Sequence, residues 1–165
     1  MDCKRLPPIK NDPDKSASYL IVGIDDYSRE LYVRITPDKS QFSTAEFLEQ
    51  IKDECPYEIE KIYTDNGKEF KGTSDHAFVK TCEKYSITQA FTRVKRPQTN
   101  GKAERVIRTL MEMWYRKESF VTRQERKISL KRFANWYNTV KPHKGIDDKT
   151  PYEMIELFYY GEDGR

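Results

Sequence analysis

The spacing of apolar and polar positions changes period along this chain, and the changes mark out its elements. Residues 19–26 (Y-L-I-V-G-I-D-D) form an apolar run that stops at turn-forming acids, and over residues 30–36 Leu31, Val33 and Ile35 alternate with polar neighbours. This patterning predicts two strands joined by a tight turn. Residues 2–6 predict a preceding strand, closed by a loop in which Pro7, Pro8, Asn11, Asp12 and Pro13 break regular structure. The chain therefore opens as a three-stranded meander.

Beyond this meander the period lengthens. Ser43 with Glu46 has the form of a capping box, and Phe47, Leu48 and Ile51 then share one helical face that ends near Cys55 and Pro56. Residues 58–64, with Ile59, Ile62 and Tyr63, predict a strand running straight into Asp65, Asn66 and Gly67. A short helix over residues 75–85 carries Phe78, Val79 and Cys82, and a strand over 87–91 follows it. A third helix is expected to start at Gln98 to Asn100, just after Pro97, and to run toward Tyr115 with Ala103, Val106, Ile107, Leu110 and Trp114 at helical spacing. Glu104 flanks that stripe. A fourth helix over residues 126–140 turns Leu130, Phe133, Trp136, Tyr137 and Val140 inward, and a last turn of helix begins at Pro151.

Strands alternating with helices in this order predict an α/β domain, and 165 residues make one domain rather than two. No apolar run approaches the ~18 residues of a membrane span, and the first residues lack the apolar region of a secretory signal. The expectation is a cytoplasmic protein with no membrane partner. Cys3, Cys55 and Cys82 are odd in number and contain no C-x-x-C pair, and His76 and His143 lie far apart. A redox centre, a zinc cage and a histidine-built metal site are therefore not expected, and any metal must rely on carboxylates. Net charge is +3 but unevenly spread, because residues 93–132 hold thirteen Lys or Arg against four Glu. That asymmetry suits a protein with one face toward a polyanion, although taken alone it is better accounted for by a solvated helix surface.

Asp65 directly follows a predicted strand, so its carboxylate belongs at the strand's carboxyl end, where open α/β sheets build their sites. Asp2 starts the first predicted strand, and Glu104 lies one turn into a helix expected to pack on the sheet. If the strands are neighbours, the three acids face one cleft. Clustered carboxylates repel one another unless a hard divalent cation neutralises them. Spacing alone leaves open that these are ordinary members of a set of 27 acidic residues, most of which must be surface charge.

Two blocks narrow the choice: T-D-N-G-K-E-F at 64–70 and P-Q-T-N-G-K-A-E-R-V-I-R-T-L at 97–110 resemble the second and third signature blocks of DDE integrases and transposases. I-D-D-Y-S-R at 24–29 and W-Y-N-x-x-K-P-H-K-G-I-x-x-x-T-P-Y-E at 136–153 are similar to bacterial insertion-sequence transposases more than to retroviral integrases. The resemblance implies an RNase H-like fold, a five-stranded mixed sheet flanked by helices. It also implies metal-dependent DNA strand cleavage and strand transfer, with Asp2, Asp65 and Glu104 as catalytic metal ligands for two Mg2+ ions, Mn2+ substituting. Its implied partners are DNA, both mobile-element ends and target, and further copies of the chain as a homodimer or larger assembly. The implied location is the bacterial cytoplasm, at the nucleoid when acting.

On the same basis Lys102, Arg105 and Arg108 are expected to bind DNA phosphates, and Gln98 and Asn100 to order a loop that contacts DNA. Tyr137, Asn138, Pro142 and His143 are expected to be structural. Two departures stand out. The stretch from Asp65 to Glu104 is slightly longer than the family's usual spacing, which a loop over residues 70–74 absorbs. The chain also starts one residue before Asp2, so residues 1–165 are expected to be a single catalytic core excised from a longer protein, without the N-terminal DNA-binding region and with a mobile Asp2. Two other readings remain. One is a degenerate or truncated core that binds DNA or self-associates without catalysis, and the other is an RNase H-type nuclease acting on hybrids.

Overall fold

In the computed structural model, which describes residues 1–10, 12–14, 16–91 and 101–161, the meander forms as the alternation requires. β1 (Asp2–Leu6) pairs antiparallel with β2 (Ser18–Ile24), and β2 with β3 (Leu31–Thr36). Successive β2 side chains point to opposite faces, so Leu20 and Val22 enter one core while Ile21 enters the other. α1 (Gln41–Glu54) lies against the second face so closely that a Cβ on Gly23 would stand 2.8 Å from Ile51 Cδ1. A larger residue at that position would have to push the Ile51 δ-methyl aside. β4 (Lys61–Thr64), α2 (Ala77–Lys84) and β5 (Thr88–Phe91) complete this half, β4 and β5 pairing in parallel.

On the first face lie α3 (Gly101–Leu110), continued by a π-helical turn over Met111–Tyr115, and α4 (Arg123–Thr139). Ala103, Val106, Ile107 and Leu110 form the buried stripe expected of the third helix, and Trp114 is fully buried. α5 (Pro151–Tyr160) follows a 3-10 turn at Lys144–Ile146. Both α4 and α5 start at reciprocal capping boxes, Thr122 with Glu125 and Thr150 with Glu153, which satisfy amide groups that the first helical turn leaves unpaired.

The structure corrects the sequence reading in several places. The five strands do not form one sheet: among the described residues there is a three-stranded sheet β1-β2-β3 and a separate pair β4-β5. The described link between β1 and β4 is the Met1 amine donating to the Tyr63 carbonyl at 2.6 Å. A cavity of about 590 Å³ borders the end of β2 and residues 57–63. α1 is capped by Ser40, whose hydroxyl accepts from the Ser43 amide at 3.2 Å, and not by Ser43, which donates to Asp38 instead. Val140 is 60% exposed rather than inward, because α4 ends one residue before it. The expected start of the third helix at residues 98–100 lies outside the described residues.

Candidate active site

The second acid is held by a turn that the motif itself builds. Asp65 follows β4 and its Oδ1 accepts the Gly67 amide at 2.9 Å, an Asx turn that fixes the carboxylate at the strand's end. A Cβ at Gly67 would stand 2.5 Å from Glu69 Oε2 and 2.9 Å from Asp65 Oδ1, so a larger residue there would displace both carboxylates. The same two distances place the carboxylates of Asp65 and Glu69 beside each other. Phe70, wholly buried, anchors the far end of the turn, and its carbonyl accepts from Gln89 Nε2 at 2.7 Å.

Asp2 is half-buried at the start of β1, and its Oδ1 accepts the Cys3 amide at 2.7 Å. It has the parity of Leu6, which enters the α3 side of the sheet, and α3 carries Glu104. Burial pushes the Asp2 carboxyl above its usual range, the Cys3 amide opposes the rise, and the charges of Asp65 and Glu104 add to it. Acids from β1, from the turn after β4 and from α3 thus act on one carboxyl. Glu104 itself is exposed. Among the described residues, however, no three His, Cys, Asp or Glu side chains stand close enough to cage an ion. The donors are all hard oxygens and repel one another, which suits a divalent cation, but closing on one requires the side chains to turn.

Sequence reasoning passed over two neighbours. Glu69, 7% exposed, accepts from Lys39 Nζ at 3.2 Å, and this pair sits next to Cys3 and Asp65. Glu69 could have been noticed as the second acid of the 64–70 block; Lys39, just ahead of α1, carries no local signal. Burial and the charges of Glu69, Asp2 and Asp65 drive the Cys3 thiol far up, so it stays protonated and inert.

The basic stretch is divided by the fold. Arg123 pairs with Asp12 and Asp14, and Arg126 is 2% exposed with its guanidinium donating to the Pro7 carbonyl at 3.1 Å. Lys102 forms an ion pair with Asp26. Arg105 and Arg108 are exposed on α3. Gln98 and Asn100 lie outside the described residues. The C-terminal block is structural where it is described: Asn138 zips onto β3, accepting the Leu31 amide at 2.9 Å and donating to the Leu31 carbonyl at 3.0 Å. His143, whose ring nitrogen meets the Tyr137 carbonyl at 3.1 Å, is pushed below its usual range by burial.

Comparison with known proteins gives this arrangement its class. Integrase core domain models match residues 2–97 and residues 85–151. An uncharacterized protein of Caenorhabditis elegans is 31% identical over 82% of this chain and 10% of its own length. A putative integrase of a Spiroplasma virus is 25% identical over 94% of this chain and 46% of its own. The chain therefore spans less than half the length of these relatives. Among solved structures, the catalytic core domain of BIV integrase aligns with a TM-score of 0.64 at 19% identity, covering 93% of this chain and 90% of that one. A chain of the simian T-cell lymphotropic virus intasome aligns with a TM-score of 0.71 at 18% identity, covering 93% and 51%. Both likenesses give the fold, an RNase H-like α/β core. The chain belongs to the integrase core domain family, a DDE integrase and transposase type of core within the polynucleotidyl transferase superfamily.

Proposed function

We propose that this chain cleaves and joins DNA strands in transposition or integration, with Asp2, Asp65 and Glu104 holding divalent magnesium. The observation that carries this reading is the placement of the three acids on separate elements: Asp2 at the start of β1 with the parity that faces α3, Asp65 fixed by its Asx turn at the end of β4, and Glu104 on α3. Mg2+, or Mn2+ in its place, supplies charge neutralisation at the scissile phosphodiester and activation of water or a DNA 3′-hydroxyl. The protein's part is to orient. The Asx turn holds Asp65, the Cys3 amide holds Asp2, and α3 brings Glu104 toward the same side. Arg105 and Arg108 lie on the helix that carries Glu104, placed to meet the phosphates of the strand being cut.

Incubating supercoiled plasmid with the protein and Mn2+ tests this. Nicked circles are expected with the parent chain and none with Asp65→Asn or Glu104→Gln. A parent protein that neither nicks nor shifts its Tm on addition of Mn2+ removes the reading. The lack of a ready cage among the described residues favours a second one, a core that binds DNA without turnover. In that case DNA is retained and left uncut. Loss of the RNA strand of a hybrid, with no joining of DNA, would instead identify a hybrid-directed nuclease.

A further inference from the structure

The turn that presents Asp65 is fixed by its main chain from three elements. Thr44 Oγ1 of α1 donates to the Glu69 carbonyl at 2.7 Å, and Gln89 Nε2 of β5 donates to the Phe70 carbonyl at 2.7 Å. Nε2 of His76, at the head of α2, lies 2.9 Å from the Lys68 carbonyl. None of these bonds uses the Glu69 side chain. That side chain is nevertheless buried with its Oε2 turned toward the Asp65 carboxylate, since a Cβ on Gly67 would touch both acids. Two like charges so placed raise each other's cost, and burial raises it further. An apolar side chain of similar volume would fill the same place without that cost.

Lys39 offsets one of the two charges. Its Nζ stands 3.2 Å from Glu69 Oε1, and among the described residues this is its only ion pair. It lies one residue ahead of Ser40, the N-cap of α1, and its side chain is half-exposed where Glu69 is buried. The hydrogen bond and charge of Glu69 hold the Lys39 amine above its usual range, and the charge of Asp65 adds to the rise. A cation held by Asp65 would therefore meet two opposed fields, attraction from the carboxylate behind its ligand and repulsion from the ammonium beyond it. In the metal-free protein the same ammonium is the counter-charge that lets the two carboxylates stand together.

We propose that Glu69 and Lys39 are opposed positioning charges for the divalent ion at Asp65, Glu69 strengthening its binding and Lys39 weakening it. The proposal rests on the reading of Asp65 as a metal ligand. Isothermal titration of the chain with Mn2+ tests it, with Tm and circular dichroism recorded on every variant. Lys39→Met is expected to tighten Mn2+ binding about tenfold and Glu69→Gln to weaken it about tenfold, the order of effect of one charge near a divalent ion at a partly hydrated site. Lys39→Arg, which keeps the charge, is expected to bind as the parent does. The double variant, Lys39→Met with Glu69→Gln, loses both fields and is expected to return close to the parent. A pair that only braces the turn would move both single variants in the same direction, and that result, or no change in either, overturns the proposal. If Lys39→Met alone does not fold, the double variant decides: Mn2+ binding weakened as much as in Glu69→Gln overturns the proposal. Asp65→Asn separates the two readings. Mn2+ binding that depends on Asp65 while the single variants shift alike removes the present proposal only. Binding absent from the parent, or indifferent to Asp65→Asn, removes the metal reading and this proposal with it.

Discussion

At the scale of single residues, Asp2 carries the clearest energetic signature. Its carboxyl is held above the usual aspartate range by burial and by two like charges. A folded-state value above the unfolded one, near 3.9, means that protonation stabilises the fold. The contribution is complete below the unfolded value and is lost as pH rises through the folded one, so at neutral pH the ionised group is a cost. Asp2→Asn keeps an oxygen for the Cys3 amide and removes the charge. Its Tm is expected to match the parent's at acid pH and to exceed it by a few degrees at pH 7, since ~1 kcal/mol moves Tm by about 2–4 °C in a chain of this size. Adding Mg2+ should raise the parent's Tm and close the gap. The Met1 amine, held down to about 6 by burial and partly restored by the charge of Asp2, falls further in the variant, so the comparison is read at pH 7, where the amine is mostly neutral in both proteins. Equal Tm values at pH 7 without metal would show that the three acids do not strain one another.

At the scale of elements, the period of the sequence was a good guide wherever one face is buried. β1, β2 and β3, the stripe on α3 and the start of α5 at Pro151 follow from side-chain alternation, from helical spacing and from proline's place in a first helical turn, although α5 runs for ten residues where a single turn was expected. What escaped the sequence depends on partners distant along the chain. Ser40 rather than Ser43 caps α1 because Asp38 accepts from Ser43 and from the Ser40 amide. Likewise β4 and β1 touch at Met1 and Tyr63 without forming a ladder, which no periodicity encodes. Of the candidate site, Asp65 and Glu104 stand in motifs visible in the sequence, while Lys39 became a neighbour only through tertiary packing against Glu69. The π-helical turn after α3 carries the largest wholly buried side chain, Trp114, whose indole N–H donates to Ser129 at 2.8 Å. Trp114→Ala should cost about 3–5 kcal/mol, a large share of the ~5–15 kcal/mol typical of a whole domain. Urea unfolding is expected to show a much lower midpoint at an unchanged slope. A loss under 1 kcal/mol would mean that the α3–α4 face does not depend on this side chain.

At the scale of the whole molecule, charge and shape must be considered together. The surplus of basic residues from 93 to 132 looks like one DNA-facing surface in the sequence, yet the fold uses part of it internally. Arg126 is buried against the Pro7 carbonyl, Arg123 ties the 12–16 loop to α4, and Lys102 fastens α3 to the loop after β2. Arg105 and Arg108 are different: they are exposed on the helix that bears Glu104. If DNA lies across that helix, each arginine neutralises a phosphate and releases condensed cation, so affinity falls with salt in proportion to the contacts made. Arg105→Ala with Arg108→Ala is therefore expected to weaken DNA binding and to flatten the plot of log affinity against log salt by nearly one unit per lost contact, about two in all. Changing Arg123 to Ala should act otherwise, lowering Tm while leaving the salt slope of the folded protein unchanged. Fluorescence anisotropy at several salt concentrations separates the two effects. An unaltered slope in the double variant would move the DNA path away from α3, and with it the reason for Glu104 to reach a scissile phosphate.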